Sequence, residues 1–483
     1  MLCDTIIKKA VIVDGTGAAS FIADVAICQD RIQAIGQLDG YDAKQIIHAE
    51  GLVLSPGFID VHTHDDTNVI RAPECLSKIS QGVTTVIVGN CGISASPTIL
   101  KGEPPEPMNL LGKKDDFQYS TFGDYVKAVQ AAEPAVNVAA LVGHTTLRNN
   151  VIDDLQRTAT NEEIESMRES LAQAMKQGAL GLSSGLAYQS AKAATADEVM
   201  RLATVLSQYG GIYTTHMRTE FEAIISAMEE AFETGKHAQV PVVISHLKCA
   251  GAGNWGRTVE VLSLMDKVSE YQDIACDCYP YSASSSTLDL NQVTDDFDIF
   301  ITWSEPKPEL AGKTLKVIAE ELNLSLLEAA RALQPAGAVY HCMDEEDVKR
   351  VLKYKLTMVG SDGLPNDPKP HPRLWGTFPR VLGQYCREEQ LFSLEEAVHK
   401  MTGMSANRYQ LKDRGEIKIG AFADLVLFDP DTIKDTATFQ NPISIAKGIE
   451  SVFVNGQLTY SNGNVSGKRK GVFLFRSSTQ ENN

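Results

Sequence analysis

Histidine residues recur at the ends of short apolar segments in this chain. His62 and His64 stand two residues apart after one segment, and His216 and His246 each follow another. Side chains two residues apart on a strand point the same way, so both imidazoles of the first pair can face one side. Imidazole is a preferred ligand of zinc, but a single His-x-His pair is weak evidence for a metal. The convergence of several candidate ligands is the stronger signal.

A thiol and a carboxylate complete the candidate set. Cys91 follows residues 83–88, and Asp362 follows residues 356–360. Thiolate binds zinc as imidazole does, and a carboxylate beside the metal can also take up a proton. We therefore predict a zinc site with Asp362 as the general base. His144 also ends an apolar segment, where a contact to metal or substrate and a purely hydrogen-bonded role are both open.

Eight strand-like segments alternate with longer amphipathic segments along the middle of the chain. This alternation is typical of βα units with a parallel sheet, and eight of them favour a closed (β/α)8 barrel of the TIM type. The segments are residues 57–61, 83–88, 136–142, 179–183, 211–215, 241–245, 273–278 and 356–360. The six candidate ligands then lie at the carboxyl ends of strands, where barrel enzymes have their active sites. Glu follows Thr160, Thr195 and Ser393 by three residues, which predicts three helix N-caps.

The two ends of the chain read as short strands and turns. Neither end is long enough for a core of its own, so residues 1–56 and 413–483 are predicted to form one small β-domain beside a barrel of residues 57–412. Residues 282–355 separate strands seven and eight and carry helical patterns near 314–333 and 344–354. An insertion of this length at the active-site face predicts a lid segment.

Composition excludes several classes of function. The net charge of -18, from 44 basic and 62 acidic residues, disfavours nucleic acid as a partner. No run approaches the roughly 18 uninterrupted apolar residues of a membrane span, and no basic segment precedes an apolar one as in a signal peptide. The nine cysteines are odd in number and lack scaffold spacing, which predicts reduced thiols and a cytoplasmic location.

Several longer motifs carry a family resemblance over nearly the whole chain. Residues 56–64 (PGFIDVHTH) resemble the opening of the amidohydrolase superfamily barrel, and residues 415–420 (GEIKIG) resemble its return into the β-domain. Residues 89–94 (GNCGIS), 361–365 (SDGLP) and 371–380 (HPRLWGTFPR) are similar to the D-aminoacylases, or N-acyl-D-amino-acid deacylases. The resemblance implies zinc-dependent hydrolysis of N-acyl-D-amino acids to a carboxylate and a free D-amino acid.

The resemblance also implies roles for particular residues. One tight zinc is implied at Cys91, His216 and His246. A second, weaker metal position is implied at His62, His64 and Asp362. Contacts to the substrate carboxylate are implied for Lys248, Tyr279, Ser285 and Arg373. An Arg fork with a Lys charge is suited to a carboxylate, which agrees with this assignment.

The sequence leaves two alternative functions open. One is a different amidohydrolase reaction, such as cyclic-amide opening by a dihydropyrimidinase-like enzyme. Those enzymes typically carry a strand-four lysine that becomes carboxylated, whereas residues 178–185 contain no lysine. The other is an inactive relative that serves as a binding protein. Such relatives usually lose metal ligands, and this chain keeps all of them.

Overall fold

Eight parallel strands form a closed barrel at the centre of the computed structural model, which describes residues 2–476. In chain order, the first to eighth barrel strands are Phe58–Asp60, Val83–Val88, Asn137–Ala140 with Val142–Gly143, Gly181–Gly185, Ile212–His216, Val242–Ile244, Ile274–Cys278 and Thr357–Val359. All eight overlap the predicted segments, so the predicted barrel is confirmed. The third strand is interrupted at Leu141, whose N–H still bonds to the second strand.

The barrel closes through the loops that follow its first and eighth strands. The N–H of Asp362 donates to the carbonyl oxygen of His62 at 2.7 Å, and the N–H of His64 donates to that of Gly363 at 3.0 Å. Lys78 reinforces this closure because its buried ammonium lies 2.8 Å from Asp60 Oδ2 on the first strand. Three predicted site residues are therefore held in place by the closure of the barrel itself.

Apolar side chains fill the lower part of the barrel. Each strand, or the residue just before it, contributes one to a single cluster: Ile59, Ile87, Ala139, Leu180, Ile212, Val243, Ala275 and Met358. Side chains at spacings of two along a strand share its inner face. His216, four residues after Ile212, therefore opens onto the upper end of the barrel interior. Asp277, two residues after Ala275, does the same on the seventh strand. The apolar layer separates these polar groups from the opposite face.

Helices alternate with the barrel strands. They are Asn68–Arg71, Leu76–Ile79, Phe122–Ala132, His144–Val151, Asn161–Lys176, Gln189–Lys192, Ala196–Ser207, Ile224–Ala238, Thr258–Ser269, Arg373–Arg380, Leu394–Met401 and Gly403–Arg408, with a π-helix at Val381–Glu388. The predicted caps are confirmed, because the hydroxyls of Thr160, Thr195 and Ser393 each accept the N–H three residues on. Among residues 2–476, no helix combines the length and apolar character needed to cross a bilayer.

Strands from both chain ends form one sheet outside the barrel. The N-terminal strands are Leu2–Ile12, Phe21–Cys28, Arg31–Gly36, Asp42–His48 and Val53–Pro56, and the C-terminal strands are Leu425–Phe428, Ile449–Val454, Gln457–Ser461 and Asn464–Val465. Val53–Pro56 pairs antiparallel with Leu425–Phe428, which joins the two ends. The predicted fold class, with a small β-domain made from both ends, is confirmed. Met1 and residues 477–483, also assigned to that domain, lie outside the described residues.

The insertion after the seventh strand contains a sheet that the sequence did not predict. Ala336–Tyr340 pairs antiparallel with both Ser284–Thr287 and Ile299–Ser304. The strand Ser284–Thr287 is made only of hydroxyl residues, so it has no apolar alternation to reveal it. The helical pattern over 314–333 is two helices, Leu315–Leu322 and Leu326–Leu333, and Glu345–Lys353 follows. Asn323 ends the first helix in a left-handed conformation, with φ of 54°.

Candidate active site

The six candidate ligands meet at the carboxyl end of the barrel. Cys91 Sγ lies 3.2 Å from His62 Nε2 and 3.4 Å from His246 Nε2. Cys91 also shares a hydrogen bond with His216. One donor atom from each of His62, Cys91, His246 and Asp362 falls within 4.8 Å of the others. This spacing is suited to a metal ion in the space between them.

Asp362 stands between the imidazoles and a guanidinium. Its Oδ1 atom lies 3.1 Å from His64 Nε2 and 3.4 Å from His62 Nε2. Its Oδ2 atom lies 2.8 Å from Arg373 Nη2. Although burial alone would raise the pKa of Asp362, the charges of Arg373 and His62 hold it well below its usual range. Asp362 is therefore a carboxylate at neutral pH.

Three of these residues leave their strands with an unusual backbone conformation. Cys91, His246 and Asp362 have φ values of 53°, 35° and 48°, in the left-handed region that residues with a Cβ rarely adopt. Such conformations cost about 1–3 kcal/mol each and are concentrated at functional sites. Gly89 and Gly92 flank Cys91 with φ of 80° and 76°, and a Cβ on either would collide with neighbouring backbone. The Gly-Asn-Cys-Gly motif therefore permits the sharp turn that directs the thiol inward.

The electrostatics of this cluster fit a bound cation. Burial alone would raise the pKa of Cys91, but the charges of His62 and His246, with hydrogen bonds from His216 and His246, bring it well below its usual value. Burial alone would lower the pKa of His64, whereas hydrogen bonds to Asp362 and Cys91 raise it to about 9. Protons on the imidazoles thus balance the thiolate and carboxylate. A zinc ion would supply that positive charge instead, and thiolate with imidazole is a donor set that zinc prefers.

Two carboxylates that the sequence did not single out stand behind the imidazoles. Asp277 lies 3.2 Å from His62 Nδ1 and accepts the N–H of His246 at 2.9 Å. Glu220 Oε1 lies 2.8 Å from His246 Nδ1. A carboxylate on one ring nitrogen leaves the other nitrogen free to face a metal. An acidic residue inside a buried strand was an available signal for Asp277, whereas Glu220 lies in a loop and offered none.

A group of buried donors without partners lies beside Asp362. The guanidinium carbon of Arg373 is 4.4 Å from the ring centroid of Tyr279, and Arg373 Nη2 donates to the carbonyl oxygen of Ser285 at 3.0 Å. Among residues 2–476, Arg373 Nε and Nη1 and the hydroxyls of Tyr279 and Ser285 have no hydrogen-bond partner. Unsatisfied buried donors cost about 1–3 kcal/mol each, so a ligand with acceptor oxygens would stabilise the group.

Lys248 lies near this group but is already paired. Its ammonium is 2.6 Å from Glu220 Oε1 and 2.8 Å from His246 Nδ1. Its distance to the ring centroid of Tyr279 is 5.8 Å. Of the four residues expected to contact a carboxylate, the structure brings Tyr279, Ser285 and Arg373 together and places Lys248 alongside them with its charge shared.

His144 has a structural role. Its Nε2 atom lies 2.8 Å from Glu198 Oε1, and Arg148 binds the same carboxylate in a buried cluster. Of the two roles left open by the sequence, the hydrogen-bonded one is therefore correct. The fourth barrel strand, Gly181–Gly185, carries no lysine that could bridge two metals.

An open cleft of about 770 Å³ leads to the cluster. His216, Lys248 and Asp362 line it. Ser285 and Tyr340, from the inserted sheet, lie along its wall. The dimensions suit a small molecule, and the insertion contributes directly to the walls that would enclose it.

Comparison with known proteins agrees with this geometry. The amidohydrolase family model matches residues 45–460. The D-aminoacylase of Alcaligenes xylosoxydans xylosoxydans is 47% identical over 473 residues, which covers 98% of each chain.

Two solved structures are closely similar. A D-aminoacylase described with a binuclear metal centre, one-metal activation and second-metal attenuation superposes with a TM-score of 0.96 at 46% identity, over 98% of this chain and 100% of that one. The second is the N-acyl-D-glutamate deacylase of Bordetella bronchiseptica, complexed with zinc and a phosphonate that mimics the tetrahedral intermediate. It superposes with a TM-score of 0.95 at 42% identity, over 98% of this chain and 100% of that one. This chain therefore belongs to the amidohydrolase family and, within it, to the D-aminoacylases.

Proposed function

We propose that this protein hydrolyses the amide bond of N-acyl-D-amino acids, releasing a carboxylate and a free D-amino acid, with zinc as its cofactor. The observation that carries the proposal is the group of unpartnered donors on Arg373, Tyr279 and Ser285 beside a thiolate–imidazole cluster. A substrate with a free carboxylate would satisfy those donors while its amide reaches the cluster. The D configuration is supported by the relatives, which act on D-amino acid derivatives.

Two sets of residues would hold metal. Cys91, His216 and His246 supply the ligands of a tight zinc site. His62, His64 and Asp362 supply a second, weaker position, in agreement with the binuclear centre of the D-aminoacylase relative. A zinc ion held by these residues would supply Lewis-acid chemistry for the acyl carbonyl and would lower the pKa of a bound water.

Asp362 is proposed to move the proton. As a carboxylate at the edge of the cluster, it accepts a proton from the attacking water and later returns it to the leaving amine nitrogen. Arg373 contacts one of its oxygens and His64 contacts the other, which fixes the direction of each oxygen. Because Asp362 also lines the cleft, it is accessible to a substrate bound there.

Binding of the substrate carboxylate is assigned to the donor group. Arg373 supplies charge and two nitrogen atoms without partners, Nε and Nη1, and the hydroxyls of Tyr279 and Ser285 supply two further donors. Lys248, which pairs with Glu220, adds positive charge beside this group. These contacts would orient the scissile amide toward Asp362.

The inserted segment, residues 282–355, is proposed to act as a lid over a barrel of residues 57–412, with residues 1–56 and 413–483 as the β-domain. Support comes from the inserted sheet, which provides Ser285 and Tyr340 to the cleft wall. A lid there would reduce access of bulk water during the reaction.

The cysteines and the net charge of the protein support proposals about its location and its partners. We propose a cytoplasmic location, because all nine cysteines are free. The net charge of -18 supports a small-molecule substrate and no nucleic-acid partner.

The proposal is tested by initial rates on paired D and L forms of N-acetylated methionine, leucine, glutamate and aspartate. We expect the D form of each hydrolysed pair to react at least about tenfold faster, equivalent to about 1.4 kcal/mol of transition-state stabilisation. Cyclic amides such as dihydrouracil serve as the control and should not be opened. Preference for L forms would contradict the stereochemical assignment, and zinc-loaded protein without any hydrolysis would contradict the activity.

Replacement of Asp362 by asparagine tests the proton transfer. Asp362→Asn should lower kcat by about 10²- to 10⁴-fold, because an amide cannot accept the proton. The tight zinc should remain in elemental analysis, since Cys91, His216 and His246 are unchanged. The control is Asp295→Asn, an exposed carboxylate of the insertion, which should leave kcat unchanged. Near-normal turnover by Asp362→Asn would remove this residue from the mechanism.

Replacement of Arg373 by methionine tests the carboxylate contact. Arg373→Met should lower kcat/KM on free-acid substrates by at least about 2 kcal/mol, or roughly 30-fold, through loss of a charge-assisted contact. The deficit should shrink for substrates whose carboxylate is converted to an amide. Arg168→Met, on the helix surface, is the matched control. Equal deficits on charged and uncharged substrates would show that Arg373 does not bind the carboxylate.

A further inference from the structure

Glu220 contacts both a proposed zinc ligand and a residue that lines the substrate cleft. It lies four residues after His216, in the loop that follows the fifth barrel strand, and its side chain is only 10% exposed. One oxygen atom, Oε1, lies 2.8 Å from His246 Nδ1 and 2.6 Å from Lys248 Nζ. A single carboxylate thus bridges a ligand of the tight zinc site and a cation of the substrate cleft.

His246 Nδ1 has two competing neighbours of opposite character. Glu220 Oε1 and Lys248 Nζ each lie 2.8 Å from it. A carboxylate can only accept a hydrogen bond, and an ammonium can only donate one. If Nδ1 donates to Glu220, the lone pair stays on Nε2, which faces Cys91 at 3.4 Å. If Nδ1 instead accepts from Lys248, the neutral ring carries its hydrogen on Nε2, where a metal would have to bind.

His62 is a comparable imidazole whose Nδ1 atom has no competing neighbour of this kind among the described residues. His62 Nδ1 lies 3.2 Å from the carboxylate of Asp277, with no ammonium recorded beside it among the described residues. Its tautomer is determined without competition. At His246 the outcome depends on Glu220, because Glu220 offers an acceptor both to the ring N–H and to the ammonium.

We propose that Glu220 is a positioning residue that keeps the hydrogen of His246 on Nδ1, thereby presenting Nε2 to zinc, and restrains the Lys248 ammonium at the edge of the cleft. The inference rests on the proposed function for the role of Lys248. The effect on His246 rests only on its being a zinc ligand. Removal of the carboxylate would let Lys248 or an amide donate to Nδ1, which favours the tautomer that cannot bind metal.

The test compares Glu220→Gln, Lys248→Met and the control Glu230→Gln, whose carboxylate pairs with Arg218 instead. Zinc affinity is measured by competition with a chromogenic chelator in the absence of substrate. Glu220→Gln should bind zinc about 10- to 100-fold more weakly, the usual effect of losing a carboxylate behind a histidine ligand. Lys248→Met should keep its zinc affinity within about twofold and raise KM, because the proposal leaves His246 bonded to Glu220. Glu230→Gln should match the parent in both measurements.

Parental zinc affinity in Glu220→Gln would overturn the proposal, even if that variant were inactive. Should Glu220→Gln fail to fold, Lys248→Met decides alone: a tenfold loss of zinc affinity in it would contradict the proposal, and retained affinity with raised KM would support it. Zinc binding is read without substrate, so a parent protein that binds zinc but hydrolyses no N-acyl-D-amino acid would overturn the proposed function and leave the role at His246 standing.

Discussion

Excess negative charge buried at the carboxyl end of the barrel is the constraint on which the rest of the site depends. Four acidic groups meet there, namely Cys91, Glu220, Asp277 and Asp362, and all are at least nine-tenths buried. Arg373 and Lys248, which pair with Asp362 and Glu220, oppose them with permanent positive charge. An uncompensated buried charge costs several kcal/mol, so a divalent cation would stabilise this arrangement, and four histidines are in position to share it.

The barrel provides the rigidity that such a cluster needs. Apolar side chains fill its lower half, and the backbone hydrogen bonds from Asp362 to His62 and from His64 to Gly363 close it beside the cluster. Lys78, fully buried, binds Asp60 on the first strand and the Ser361 hydroxyl after the eighth at 2.9 Å. Charged groups held on a closed barrel do not need to reorganise during the reaction, which is the main source of electrostatic catalysis.

Much of this architecture could be predicted from the sequence because each strand carries its own signal. Apolar β-branched runs located the eight strands, and residues such as Cys91 and His216 stood out because they are good zinc ligands at strand ends. Glu220 and Asp277 were missed for a physical reason. Each acts through contact with a histidine brought near only by the closed barrel. Asp277 was unusual as an acidic residue in a buried strand, but the sequence did not indicate its partner, and Glu220 in its loop carried no signal. The inserted sheet was missed because its hydroxyl-rich strand lacks an apolar pattern.

The proposed contacts to a substrate carboxylate also depend partly on residue type and partly on tertiary packing. Arg373 was selected through a motif, but its pairing with Asp362 and its free Nε and Nη1 atoms depend on its place at the start of a helix, beside the ring of Tyr279. Likewise, Lys248 was expected to face the substrate, and its partnership with Glu220 appears only in three dimensions. Residue type thus predicts which groups participate, whereas tertiary packing decides which of them are free to bind.

A thiolate, together with imidazoles, is proposed to hold the catalytic zinc. X-ray absorption at the zinc edge, recorded on protein carrying one zinc per chain, tests this proposal most directly. We predict one sulfur neighbour at about 2.3 Å together with nitrogen or oxygen neighbours at about 2.0–2.1 Å. A first shell of nitrogen and oxygen atoms alone would contradict it, because Cys91 would then be a buried side chain without a role in binding metal.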